Sequence, residues 1–135
     1  MSKDIDIKTI STSALAYLGD SVIEICVRKY LVSEGLSSSS HLNAEALKYV
    51  RASAQAEAVK RIMPLLTEEE AAVFRRGRNV GHTSTPKSAS VSEYRMATGM
   101  EALFGYLYLL DRHDRIAELF REAYNTDRLM KKIDK

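Results

Sequence analysis

Apolar residues recur along most of this chain at spacings of three and four, the period of a helix with one buried face, and only two prolines and six glycines interrupt them. The pattern predicts an all-helical fold. A first long helix is expected from about Ser11 to Ser33, with Leu15, Leu18, Val22, Ile25 and Tyr30 among its inward positions and Glu34-Gly35 ending it. Leu36 to Ser40 reads as a polar loop. A second helical region runs from about His41 to Leu66 and carries Leu42, Leu47, Val50, Val59 and Ile62. Small residues near Ser53 predict its division into two helices, and Pro64 disturbs its end.

Two capping boxes mark later helix starts. Thr67-Glu68-Glu69-Glu70 fits T-x-x-E and predicts a short helix reaching about Arg76, and Ser90-Val91-Ser92-Glu93 fits S-x-x-E and opens a helix to about Leu110. Between them, RGRNVGHTSTPKSAS has the glycines, hydroxyls and proline of a loop. The last segment, Asp114 to Lys135, predicts an amphipathic helix with Ile116, Leu119, Phe120 and Tyr124 on one side and an interruption at Asn125-Thr126.

The 135 residues suit a single domain over 1–135, long enough to bury a core without disulfides. Cys26, the only cysteine, stands among apolar neighbours and is expected in the core. No run approaches the roughly 20 apolar residues that cross a bilayer, so a cytoplasmic protein is expected. Net charge is only +2, but its distribution is uneven. From Ala71 to Ser92 there is no acidic residue, while Arg75, Arg76, Arg78, Lys87 and His82 all fall in that window.

The chemistry is concentrated in two carboxylates set in apolar surroundings: Asp20 in LAYLGDSVIE, residues 15–24, and Glu101 in MATGMEALFGYLYLL, residues 96–110. A glycine inside a helix costs about 1 kcal/mol against alanine, and a carboxylate beside a buried face costs more unless something binds it. Either an arginine or lysine pairs with each acid, or both share a metal ion; magnesium, which keeps several waters and takes few carboxylates, suits the second case. His41, His82 and His113 stand in no nucleophile motif, and Cys26 lacks a zinc-ligand spacing.

LAYLGDSVIE resembles the signature helix of the ribonuclease III family, and MEALFGYLYLL resembles that family's second acidic segment. The segments RRGRN, TPK, YR, AT and MEALFGYLYLL, in that order, are similar to Mini-ribonuclease III, the short bacterial form without a double-stranded RNA-binding domain. The resemblance covers nearly the whole chain. It implies an all-α, homodimeric ribonuclease III catalytic-domain bundle that cleaves double-stranded RNA with magnesium and leaves 5′-phosphate ends. It implies that Asp20 and Glu101 are the catalytic, metal-binding acids. Larger members carry two further acids, at positions held here by Ser13 and Thr98, whose hydroxyls are expected to support the metal through bound water. Glu24 and Glu45 are expected to be solvated or salt-bridged. Gly19 is expected to let another helix come close, either across a dimer interface built on this helix or inside one subunit.

The acid-free window then becomes the expected RNA-binding surface. Arg75, Arg76 and Arg78 suit phosphate oxygens, Asn79 and Thr85 donate hydrogen bonds, Lys87 adds charge, and Gly77 and Gly81 admit a close backbone. Two readings remain open. One is an endoribonuclease maturing large-subunit (23S) ribosomal RNA precursor, with a ribosomal protein shaping the substrate; the other is a non-catalytic RNA-binding or ribosome-assembly protein on the same fold.

Overall fold

The structure, a computed structural model, describes residues 6–80 and 90–126. All regular structure among them is helical: α1 (Thr12–Ser33), α2 (Ser39–Val50), α3 (Ala52–Ile62), α4 (Glu68–Arg78), α5 (Val91–Leu109) and α6 (His113–Tyr124), with single 3-10 turns at Ile7–Thr9 and Met63–Leu65.

The local signals do their expected work. Ser11 caps α1 by accepting from the Ala14 N–H, and the capping boxes Thr67/Glu70 and Ser90/Glu93 are both closed in each direction. After α1, Gly35 sits at φ +93°; the Gly35 N–H donates to the Val32 carbonyl and the Leu36 N–H to the Leu31 carbonyl, a Schellman ending. The division between α2 and α3 falls at Arg51, two residues before the predicted Ser53. Arg51 is extended, its Nε caps the Leu47 carbonyl at 3.1 Å, and the Gln55 side chain takes the Val50 carbonyl at 2.9 Å. Side chains that satisfy the last carbonyls of α2 set this break, not the small residues after it. The α4 helix runs to Arg78, past the predicted Arg76, and α6 ends at Asn125 in the left-handed region.

The bundle is organised around α5, buried on nearly every side: Ala97 to Met100, Ala102 to Gly105 and Leu107 are all buried. It packs chiefly against α1, with α4 and α3 on its other flanks. The buried line of α1 is Leu15, Gly19, Val22, Ile23, Val27 and Leu31; Ile25, predicted inward, is 68% exposed. Leu47 is exposed as well. Leu18 and Tyr30 are half-buried against the core, as is Cys26, whose thiol is pushed up by burial.

Where α1 crosses α5, the two main chains touch. A Cβ on Gly19 would lie 1.6 Å from the Glu101 carbonyl oxygen, and one on Gly105 would lie 2.0 Å from the Leu15 carbonyl oxygen. The helix that comes close to Gly19 is therefore α5 of the same chain. Gly77 likewise faces the Gly99 and Ala102 stretch of α5, so it serves packing and does not offer its backbone to a phosphate.

One buried ion pair ties the start of α4 to α6. Arg115 Nη2 donates to Glu70 Oε1 at 2.7 Å and Nε to Oε2 at 2.8 Å, while Nη2 also reaches the Leu65 carbonyl at 2.7 Å. The Arg115 guanidinium holds the Glu70 carboxyl below its ordinary range. No helix among the described residues is long and apolar enough to cross a membrane.

Candidate active site

The glycine contact between α1 and α5 decides where the acids stand. Because Gly19 rests on the Glu101 main chain, Asp20, the next residue, is brought beside Glu101. Ser13, Ala16, Tyr17 and Asp20 from α1, Val80 after α4, and Tyr94, Thr98 and Glu101 from α5 line one open cavity of about 390 Å³. Ser13, Asp20, Thr98 and Glu101, picked out from separate parts of the sequence, thus face one space.

The electrostatics of the pair fit a cation-binding role. Glu101 is half-buried, and its carboxyl is pushed up to about 8, first by burial and then by the charge of Asp20 and a hydrogen bond shared with it. Among the described residues neither acid forms an ion pair with lysine or arginine. Two carboxylates with two hydroxyls make an all-oxygen donor set, which suits a hard divalent ion that keeps its own waters. No group of three or more histidine, cysteine, aspartate or glutamate side chains with metal-site geometry occurs among the described residues.

The hydroxyls are placed differently. Thr98 is buried and its Oγ1 donates to the Tyr94 carbonyl at 3.0 Å, leaving its lone pairs for a donor from the cavity; Ser13 is exposed at the rim. Glu24 pairs with Arg28 at 3.0 Å and Glu45 with Lys48 at 2.9 Å, so both acids are salt-bridged away from the cavity. The reading of the chain overlooked Ala16, Tyr17, Val80 and Tyr94 as lining residues. Helical spacing held the signal for three of them: Ala16 and Tyr17 lie one turn before Asp20, and Tyr94 lies two turns before Glu101.

The arginines do not act as one cluster. Arg75 and Arg76 are exposed on α4, where the Arg76 Nη2 lies 3.5 Å from Thr12 Oγ1 of α1. Arg78 turns the other way, donating to Asn79 Oδ1 at 3.3 Å. Thr85 and Lys87, with Gly81 and His82, lie outside the described residues.

Residues 13–112 match the Ribonuclease III domain. The chain belongs to the ribonuclease III family. Mini-ribonuclease 3 of Clostridium tetani is 40% identical over 121 residues, 89% of this chain and 80% of the relative. Mini-ribonuclease 3 of Brevibacillus brevis is 46% identical over 110 residues, 82% of each chain. A crystal structure of a Fusobacterium nucleatum protein superposes with a TM-score of 0.78 at 33% identity, over 87% of this chain and 94% of that one. The matched domain holds Ser13, Asp20, Thr98 and Glu101, and the ribonuclease III member described here is an endoribonuclease.

Proposed function

We propose that this ribonuclease III family member is a magnesium-dependent endoribonuclease that hydrolyses double-stranded RNA to 5′-phosphate products. Its substrate is large-subunit ribosomal RNA precursor, and Asp20 and Glu101 hold the ion. One observation carries the reading: two carboxylates from different helices converge in one cavity with no lysine or arginine paired to either among the described residues, and burial, then the charge of Asp20, pushes Glu101 up to about 8. Such a pair is costly unless a ligand supplies positive charge. The same convergence counts against a non-catalytic RNA-binding role, which has no use for it.

Magnesium held there by Asp20 and Glu101 would supply a more acidic water and offset charge on the phosphoryl oxygens. The remaining work falls to the chain. Asp20 and Glu101 stay ionised as ligands and exchange no proton with the substrate. Thr98 and Ser13 hold water at the cavity wall. Arg75, Arg76, Arg78 and Asn79, with Thr85 and Lys87, grip phosphates so that the scissile bond lies over the acids.

A homodimer completes the reading. The outer face of α1 leaves Tyr17 84% and Ile25 68% exposed, and Tyr108 of α5 is 45% exposed. An apolar groove of about 200 Å³ runs through this face, lined by Leu18, Ile25, Cys26, Tyr108 and Ile116 among others. Apolar surface of this kind on a small chain is suited to a second copy. A two-fold contact there sets two cavities in one cleft, each cutting one strand.

The test is cleavage of a ribosomal precursor stem by the wild type, Asp20→Asn and Glu101→Gln, with magnesium and with chelator. Cleavage lost on chelation and in both variants is the expected result. Binding without cleavage by the wild type would return the protein to the assembly-factor reading, and cleavage by both variants would mean the site lies elsewhere.

A further inference from the structure

Resting on the reading of this protein as a duplex-RNA nuclease, we propose that Arg95 and Arg78 form a second phosphate-binding pocket, beside the acid cavity, that grips the RNA backbone away from the scissile bond. Arg95 has no part in the surface read from the acid-free window, because that window closes at Ser92 and Glu93 follows it.

The geometry rests on two neighbouring cavities with a shared wall. Val80 and Tyr94 line the cavity of Asp20 and Glu101. The residues next to them in sequence, Asn79 and Arg95, line a separate pocket of about 310 Å³ with Arg78, Val91, Ser92 and Met96. Two consecutive pairs, 79/80 and 94/95, therefore present one member to each space, and the pocket adjoins the acids without overlapping them. Both of its guanidiniums stand on helices, Arg78 in the last turn of α4 and Arg95 in the second turn of α5.

Neither charge is committed to an acid among the described residues. Elsewhere in the described structure, Arg28, Arg112 and Arg115 each meet a glutamate, and Arg51 and Arg61 cap backbone carbonyls. Neither Arg78 nor Arg95 forms an ion pair among the described residues; the nearest acid in sequence, Glu93, is occupied with the Ser90 N–H in the capping box. Two guanidiniums with no acid partner among the described residues line one pocket from separate helices, with Ser92 and Asn79, and offer forked donors to the oxygens of one phosphate. Carboxylates in one pocket and guanidiniums in the next place opposite demands on the same strand. The acid pair takes a phosphate only through a cation, whereas the arginine pair takes one directly.

The experiment measures binding of a blunt RNA duplex to the full chain in chelator, across a salt series, for wild type, Arg95→Ala, Arg95→Gln and Arg95→Lys. Arg95→Ala and Arg95→Gln are each expected to weaken binding about tenfold and to reduce the slope of log K against log salt by about one, with Arg95→Lys restoring most of that slope. Equal thermal midpoints for the wild type and the Arg95→Gln variant separate this from unfolding. Wild-type affinity and slope in both neutral variants would overturn the pocket and leave the nuclease reading standing. A wild type that binds no duplex RNA would overturn both.

Discussion

Glu101 carries two opposed demands. Its main chain is pressed by Gly19, and its carboxyl is half-buried beside Asp20, so its proton is held up to about pH 8. A carboxyl whose folded pKa lies above its unfolded value binds more protons when folded, so it contributes stability at low pH that is lost as the pH rises from about 4.5 to about 8. Glu101→Gln removes that loss. In chelator at pH 8, Glu101→Gln is expected to be more stable than the wild type, by at most about 4 kcal/mol, and equal to it near pH 4. Urea unfolding at both pH values checks this. The same substitution is expected to reduce cleavage at least a hundredfold, about the loss for removing one preorganised electrostatic group. Both acids were legible in the sequence because a carboxylate within an apolar run asks for a reason; that they meet was not, since local spacing says nothing about which helices cross.

At the scale of the element, two kinds of contact hold the bundle, the first of them on α5. Against α1 the contact is main chain on main chain, and a methyl group at Gly19 would overlap the Glu101 carbonyl. Gly19→Ala is expected to cost about 3 kcal/mol, at the upper end of overpacking effects, and to lower cleavage further than its residual folded fraction explains, because the acids part. Comparing activity with folded fraction by circular dichroism checks both. The ion pair between α4 and α6 behaves differently: Arg115→Ala strands the buried Glu70 carboxylate and the Leu65 carbonyl, and is expected to cost about 3 kcal/mol, read by urea unfolding. The caps of α4 and α5 were legible because each is a short-range bargain between a side chain and its own turn. The placing of the α2/α3 break at Arg51, two residues before Ser53, and the pairing of Glu70 with Arg115 were not. The first depends on which long side chain folds back on a carbonyl, the second on residues 45 positions apart.

Across the whole molecule, the exposed face of α1 is the surface proposed for a second copy. Ile25, expected inward from its spacing, stands outward because Ile23 and Val27 occupy the seam with the core. A helix with apolar residues on two faces satisfies one of them within its own chain, and a single-chain pattern does not say which. Ile25→Glu is expected to shift the protein from dimer to monomer in sedimentation at micromolar concentration while leaving helix content unchanged. A wild type already monomeric at that concentration would remove the shared cleft from the proposed function.

The contact of Gly19 and Gly105 with opposing carbonyl oxygens bears on how such a chain can diverge. The interval between the acids is written in main-chain atoms, the part of the polymer that substitution does not exchange. Side chains around the cleft, such as Ala16 and Tyr17, can be exchanged without moving that interval, while the spacing of Asp20 from Glu101 moves only if two helices part. Diversification is therefore channelled into what stands at the cleft, and its dimensions are inherited whole.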